Sequence, residues 1–165
     1  MKTLLVLLLI EGIVLCFWML LICVVGIANG PVGLVVFYEQ DVKDRVVKLG
    51  LTSYERIKRT SVITGLALFV PMLIAAPLFV YKLNGAEGFD TGFFQMTVIF
   101  LIAGLFDRIF IDWYWVGHTK AWLIPGTEDL KPYIPKETAV RKWAGTLIGF
   151  PLISAIIAAL VKWIM

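Results

Sequence analysis

Histidine occurs once in these 165 residues, at His118, and cysteine twice, at Cys16 and Cys23. A single histidine excludes a multi-histidine metal site or a bis-histidine haem within one subunit. A mixed site drawn from Asp112, His118, Glu128 or Asp129 is chemically conceivable, because carboxylate and imidazole ligate zinc or iron. No HExxH or comparable spacing supports one, so neither a metal nor any other cofactor is expected. The two cysteines are seven residues apart on one helix face, separated by roughly 10 Å of rise. That is too far for a mutual disulfide, and they read as small buried hydrophobes. The phosphate loop, GxGxxG, GxSxG and CxxC are all missing, which leaves the soluble-enzyme templates without an anchor. Low-complexity tracts and internal repeats of 20–50 residues are missing too.

Charge is the other scarcity. Only 16% of residues are charged and 60% are hydrophobic, far from the quarter-charged, half-apolar balance of soluble domains. A span needs on the order of 20 mostly apolar residues. The chain offers four such stretches, about 4–27, 61–81, 91–112 and 143–163, with too little left over for a soluble domain. The expected fold is therefore an all-α membrane protein, one integral domain over 1–165 whose four transmembrane helices form a bundle. Lys2 before the first stretch and "GIANG" after it resemble a secretory leader, but the apolar run exceeds the roughly 7–15 residues of such a leader and favours a retained span.

Lys and Arg in the short connections set orientation. Lys43, Arg45, Lys48, Arg56, Lys58 and Arg59 lie in the first connection, and Lys120, Lys131, Lys136, Arg141 and Lys142 in the third. The second has only Lys82 beside Glu87 and Asp90. Connections one and three are thus expected in the cytoplasm, with both termini outside a cell membrane. The net charge of +3 belongs to this topology and to an anionic leaflet; the partner it implies is the lipid bilayer, and no nucleic acid.

Between the first two spans, Val35, Tyr38, Val42, Val46 and Leu49 recur at helical spacing. Glu39–Lys43, Asp41–Arg45 and Asp44–Lys48 are acid-before-base pairs at i,i+4. These predict an amphipathic cytoplasmic helix over about 32–49, serving either as an interfacial or packed connector or as a docking surface. Thr52 and Glu55 have capping-box spacing before the second span, in which Pro71 and Pro77 predict kinks. Pro125 and Gly126 suit the centre of a type II turn. In the fourth span, Gly145 and Gly149 form a small-xxx-small step, suited to packing within the monomer or, less commonly, to a homo-oligomer or larger membrane complex.

The candidate site is the stretch from Leu105 to Gly126. On an ideal helix with Asp107 at zero, Tyr114 falls near roughly −20°, His118 near 20°, Trp115 near 80°, Arg108 near 100° and Asp112 near 140°. Apolar residues occupy the complementary arc. Asp107 should lie about 24 Å along the third span, close to its inner end. Two readings stand. In one, Arg108 and Asp112 pair, Arg108 snorkels, and the tryptophans and Tyr114 form an interfacial belt. In the other, Asp107, Arg108, Asp112, Tyr114, Trp115 and His118 line a cytoplasm-facing pocket for an ion, a headgroup or a small anion. Glu11 is the most costly single residue, about 12 Å inside the first span. An ionisable group at that depth is a functional candidate, with Lys162, Lys82 or Gln95 within conceivable reach.

Three function classes follow: a binding or transport component working as an oligomer or with a partner; a membrane-embedded enzyme on a lipid or isoprenoid head group, with His118 or Asp112 as base and Arg108 on a phosphate; and a non-catalytic assembly protein.

Overall fold

The computed structural model describes residues 2–164. Among them the chain is helical with no strand, and four helices are long and apolar enough to cross a membrane. Helix α1 runs over Lys2–Ile27, α3 over Tyr54–Leu83, α4 over Gly88–Val116 and α5 over Lys136–Ile164, with a short α2 over Gln40–Lys48 between the first two. The three later long helices extend several residues beyond their apolar stretches. At 29 or 30 residues each is about 43–45 Å long, so polar ends such as "YERIKR" and "KETAVRK" continue the helix past its greasy part.

Helix α4 is central. It packs along α1 on one side and α5 on the other, while α3 lies against α1 and touches α4 less. Helices α3 and α5 barely meet, and the gap between them runs over the face of α4. Fully buried Leu8, Met96, Ile99, Phe100, Ala103 and Ala158 fill the α1–α4–α5 seam. The outward faces are apolar, with Leu5, Phe17, Ile63, Leu66, Ile148, Leu152 and Ile156 all exposed.

Close approach between α4 and α5 depends on Gly104. A Cβ there would stand 2.5 Å from Phe150 and 2.7 Å from Thr146, so only hydrogen fits. By contrast, a Cβ on Gly145 or Gly149 would meet nothing within 4 Å. Within one chain, the small size of these two glycines is therefore not what lets α5 approach its neighbours.

Three of the long helices are wound wider over part of their length. The π geometry covers Leu78–Leu83 in α3, Asp107–Val116 in α4 and Gly145–Gly149 in α5. The first follows Pro77 directly, where the missing amide hydrogen already interrupts the i→i−4 ladder.

The expected amphipathic helix over 32–49 is two pieces. A 3₁₀ segment covers Pro31–Phe37, and α2 starts only at Gln40 because Tyr38 and Glu39 are extended (ψ 165° and 167°). That turn sends the Tyr38 hydroxyl inward to donate to the Trp122 carbonyl at 2.5 Å. Val42 and Val46 are buried, so the apolar stripe is covered by the chain's own segments and α2 is a packed connector. None of its three anticipated i,i+4 pairs forms. Arg45 instead bridges to Asp129 at 2.9 Å and donates to the Gly126 carbonyl. Asp44 accepts from Gln40 and Tyr54, and Glu39 accepts from Thr138 at 2.6 Å. The cap of α3 is Ser53, whose hydroxyl accepts from the Arg56 amide, one residue after the anticipated Thr52. Gly126 has φ 85°, the left-handed value that the second central position of a type II turn requires.

Candidate functional site

Arg108 is only 8% exposed, and it ion-pairs with both Asp107 and Asp112. On an α-helix the two carboxylates would stand about 140° apart. Here the segment is π-wound, and i→i+5 hydrogen bonds bring residues five apart close to one full turn. Asp107 and Asp112 therefore lie on the same side of α4, with the guanidinium between them. The other oxygen of Asp112 accepts from Lys142 Nζ of α5 at 2.7 Å. Two cations and two carboxylates thus form one cluster at the α4–α5 seam, just beyond the Gly104 contact.

The guanidinium is incompletely satisfied. It has five N–H donors, yet Arg108 Nε is buried without a hydrogen-bond partner, and Nη1 lies beside Asp112 off the axis a hydrogen bond needs. Trp122 Nε1, also buried, lacks an acceptor too.

Two cavities meet at Arg108, Asp112, Val116, Tyr133 and Ile134. One, of about 320 Å³, is bounded by His118, Trp113, Trp143 and Lys131. The other, of about 380 Å³, lies in the gap between α3 and α5. Its wall is mainly apolar, contributed by Met19, Leu68, Phe69, Met72 and Phe150, with Asp107, Arg108, Asp112 and Lys142 at its polar end. Cys23 borders this second cavity, and it and Cys16 are free thiols in the core.

Of the residues singled out from sequence, Arg108, Asp112 and His118 border one cavity and Asp107 joins the first two at the other. His118 does not fold onto the charged pair: its Nδ1 donates to the Trp113 carbonyl at 2.6 Å, and its ring lies against the Trp113 ring. Tyr114 is half exposed and borders neither cavity. Trp115 packs edge-on against Trp122, with centroids 5.4 Å apart. Lys142, central to the cluster, carried no sequence signal beyond its place in a basic run. It comes to Asp112 only because α5 packs on α4.

Glu11 forms a separate cluster. It is 7% exposed and accepts from Asn84 Nδ2 at 3.0 Å; the same amide donates to Gln95 Oε1 at 3.0 Å. Of the three anticipated neighbours, only Gln95 belongs to the cluster, and no ion pair links Glu11 to Lys82 or Lys162 among the described residues. Asn84 had not been singled out, because it sits in the polar connection; the wide turn over Leu78–Leu83 carries it back toward α1.

The loop after α4 is held by Trp122 and Tyr133, whose rings pack on Tyr38, the first tilted at 6.2 Å and the second edge-on at 5.0 Å. Burial pushes the Tyr38 phenol well above its ordinary range, which keeps it a hydrogen-bond donor. On the exposed side, the hydrogen bond from Arg45 holds the Asp129 carboxyl below its ordinary value. Among the described residues, no group of three His, Cys, Asp or Glu side chains is arranged to hold a metal. Comparison with protein-family models, curated proteins and solved structures finds no significant match to this chain.

Proposed function

We propose that the chain is a small four-span protein of the cell membrane, acting as a binding or transport component whose site is the pocket around Arg108. The observation that carries this reading is the Asp107–Arg108–Asp112–Lys142 cluster. It is a charge network built around the buried Arg108, with an unsatisfied donor, bordered by two cavities, in helices whose outward faces are apolar. Ionisable groups inside apolar spans are costly, and they mark ligand or ion pathways. The basic first and third connections orient the cluster toward the cytoplasm and both termini outside. Four helices leave little room for a conduit, so transport would require a homo-oligomer or a larger membrane partner.

An enzymatic role on a lipid or isoprenoid head group draws less support. Both Asp112 oxygens are already engaged by cations, and His118 borders the cavity without the large apolar wall. A non-catalytic assembly role would use the same cluster only to lock α4 to α5, and would leave the cavities without purpose. The test is reconstitution in liposomes with a proton-sensitive and an anion-sensitive dye inside. Protein-dependent flux that Asp107→Asn changes is the expected result. Flux identical in the two proteins would refute the assignment of the pathway to this pocket.

A further inference from the structure

The α3–α5 gap has the chemistry of one ligand type, and resting on the pocket reading above we infer that it holds a single-chain amphiphile with a monoanionic head group, of the fatty-carboxylate kind. Its size comes first: about 380 Å³ is near the lower end of small-molecule sites, which suits one alkyl chain better than two. Access comes second. Helices α3 and α5 hardly touch, and Phe37 and Phe69, both on the cavity wall, are 44% and 53% exposed. The cavity therefore opens sideways between apolar side chains, from the direction in which a membrane-dissolved molecule would come.

Polarity is the third argument. A wall that is mainly apolar but carries one charged patch, where Arg108 and Lys142 stand, matches a molecule that is apolar apart from one charged head. Arg108 and Lys142, the two cations that border this cavity, carry donors only. A carboxylate supplies acceptors without donors. Asp112 stands between Arg108 and Lys142, and the ligand's carboxylate would share that position.

The experiment is binding of laurate to the purified full chain in detergent-free nanodiscs, counted by native mass spectrometry, with dodecanol and acetate as comparison probes. One laurate per chain is expected. Dodecanol should lack the charge-assisted hydrogen bonds of the head and bind at least about tenfold more weakly, and acetate should not measurably bind. Arg108→Gln should weaken laurate by a similar factor. Gly145→Leu and Leu68→Trp enlarge cavity-wall residues and should each reduce it; since a Cβ on Gly145 meets nothing within 4 Å, that variant should fold normally. Asp112→Asn releases Lys142 and leaves Arg108 with Asp107 alone, and should tighten laurate severalfold. Equal binding of dodecanol and laurate, or laurate binding indifferent to both wall variants, would overturn the amphiphile assignment. Arg108-dependent binding of acetate with no gain from the chain would overturn it while leaving the pocket standing. Laurate binding unaffected by Arg108→Gln and by the wall variants alike would remove both.

Discussion

Removing the Asp112 carboxylate should be the most damaging single polar change in the chain. Asp112 is 12% exposed and serves two cations at once, Arg108 on its own helix and Lys142 on α5. Asp112→Asn leaves Arg108 facing Asp107 alone and leaves Lys142 without a carboxylate, while both cations stay in place. Breaking a buried pair by taking one partner typically costs about 3–5 kcal/mol. Lys142 is 30% exposed and can turn to water, so a loss near the lower end, about 3 kcal/mol, is expected. Lys142→Gln should cost less, about 1–2 kcal/mol, because Asp112 keeps Arg108. The double variant returns the cluster to one cation and one anion. Its loss should fall short of the sum by at least about 1 kcal/mol, the coupling expected of residues in one network. Equilibrium unfolding of the four proteins in mixed micelles measures this cycle. Strict additivity, or a loss below about 0.5 kcal/mol for Asp112→Asn, would refute the claim that the cluster joins α4 to α5.

The other expectations concern packing, the second polar cluster and the loop. Gly104→Ala should destabilise by about 1–3 kcal/mol through overpacking against Phe150 and Thr146, whereas Gly145→Ala should stay within about 1 kcal/mol of the parent; thermal melts of the pair decide it, and equal losses would contradict the assigned contact. Asn84→Leu strips Glu11 and Gln95 of their shared donor and should cost about 1–3 kcal/mol, while Glu11→Gln, which keeps an acceptor for Asn84, should cost clearly less; the reverse order would argue against the Asn84 bridge. Asp129 has its carboxyl lowered by Arg45, so its contribution is present above the ordinary carboxylate range and is lost as pH falls through the depressed value. Amide exchange in α2 should therefore accelerate, relative to the rest of the chain, only in acid, and Asp129→Asn should remove that acid limb. An α2 exchange profile unchanged by Asp129→Asn would show that the bridge does not fasten the helix.

How much of this was legible differs by level. Four long apolar helices follow from four runs of lipid-grade residues, because length and composition decide that without any long-range contact. The extent of each helix was less legible. The polar ends of α3, α4 and α5 continue the helix where hydropathy alone places a boundary, held by local features such as the Ser53 cap. Helix α2 was half legible. Its apolar spacing was sound, since Val42 and Val46 are buried, but a loop some 80 residues later takes Arg45 away from Asp41. Sequence spacing ranks local partners, and it is blind to better ones brought by folding.

The charged site was legible in part. Spacing at i,i+4 gave the Arg108–Asp112 pair, which forms, but 100° per residue sets Asp107 and Asp112 about 140° apart and gave no sign that one guanidinium would serve both. A wide turn changes the angle at which the same residues emerge, and α4 is wide over Asp107–Val116. The other two wide turns also accompany polar groups in apolar helices. One ends beside Asn84, the donor to Glu11, and the third begins at Gly145 directly after the turn that carries Lys142. Wide turns within α-helices frequently occur at functional sites, and each gives up regular α-helical hydrogen bonding. Three of them, each adjoining a buried polar contact between helices, therefore argue that the polar contacts are what the helices are shaped to make. If that is so, deleting one residue from the Asp107–Val116 turn, which would restore α geometry, should abolish Arg108-dependent binding while leaving the helix content measured by circular dichroism nearly unchanged. Retained binding in such a deletion would mean that the wide turn follows from packing and has no part in building the site.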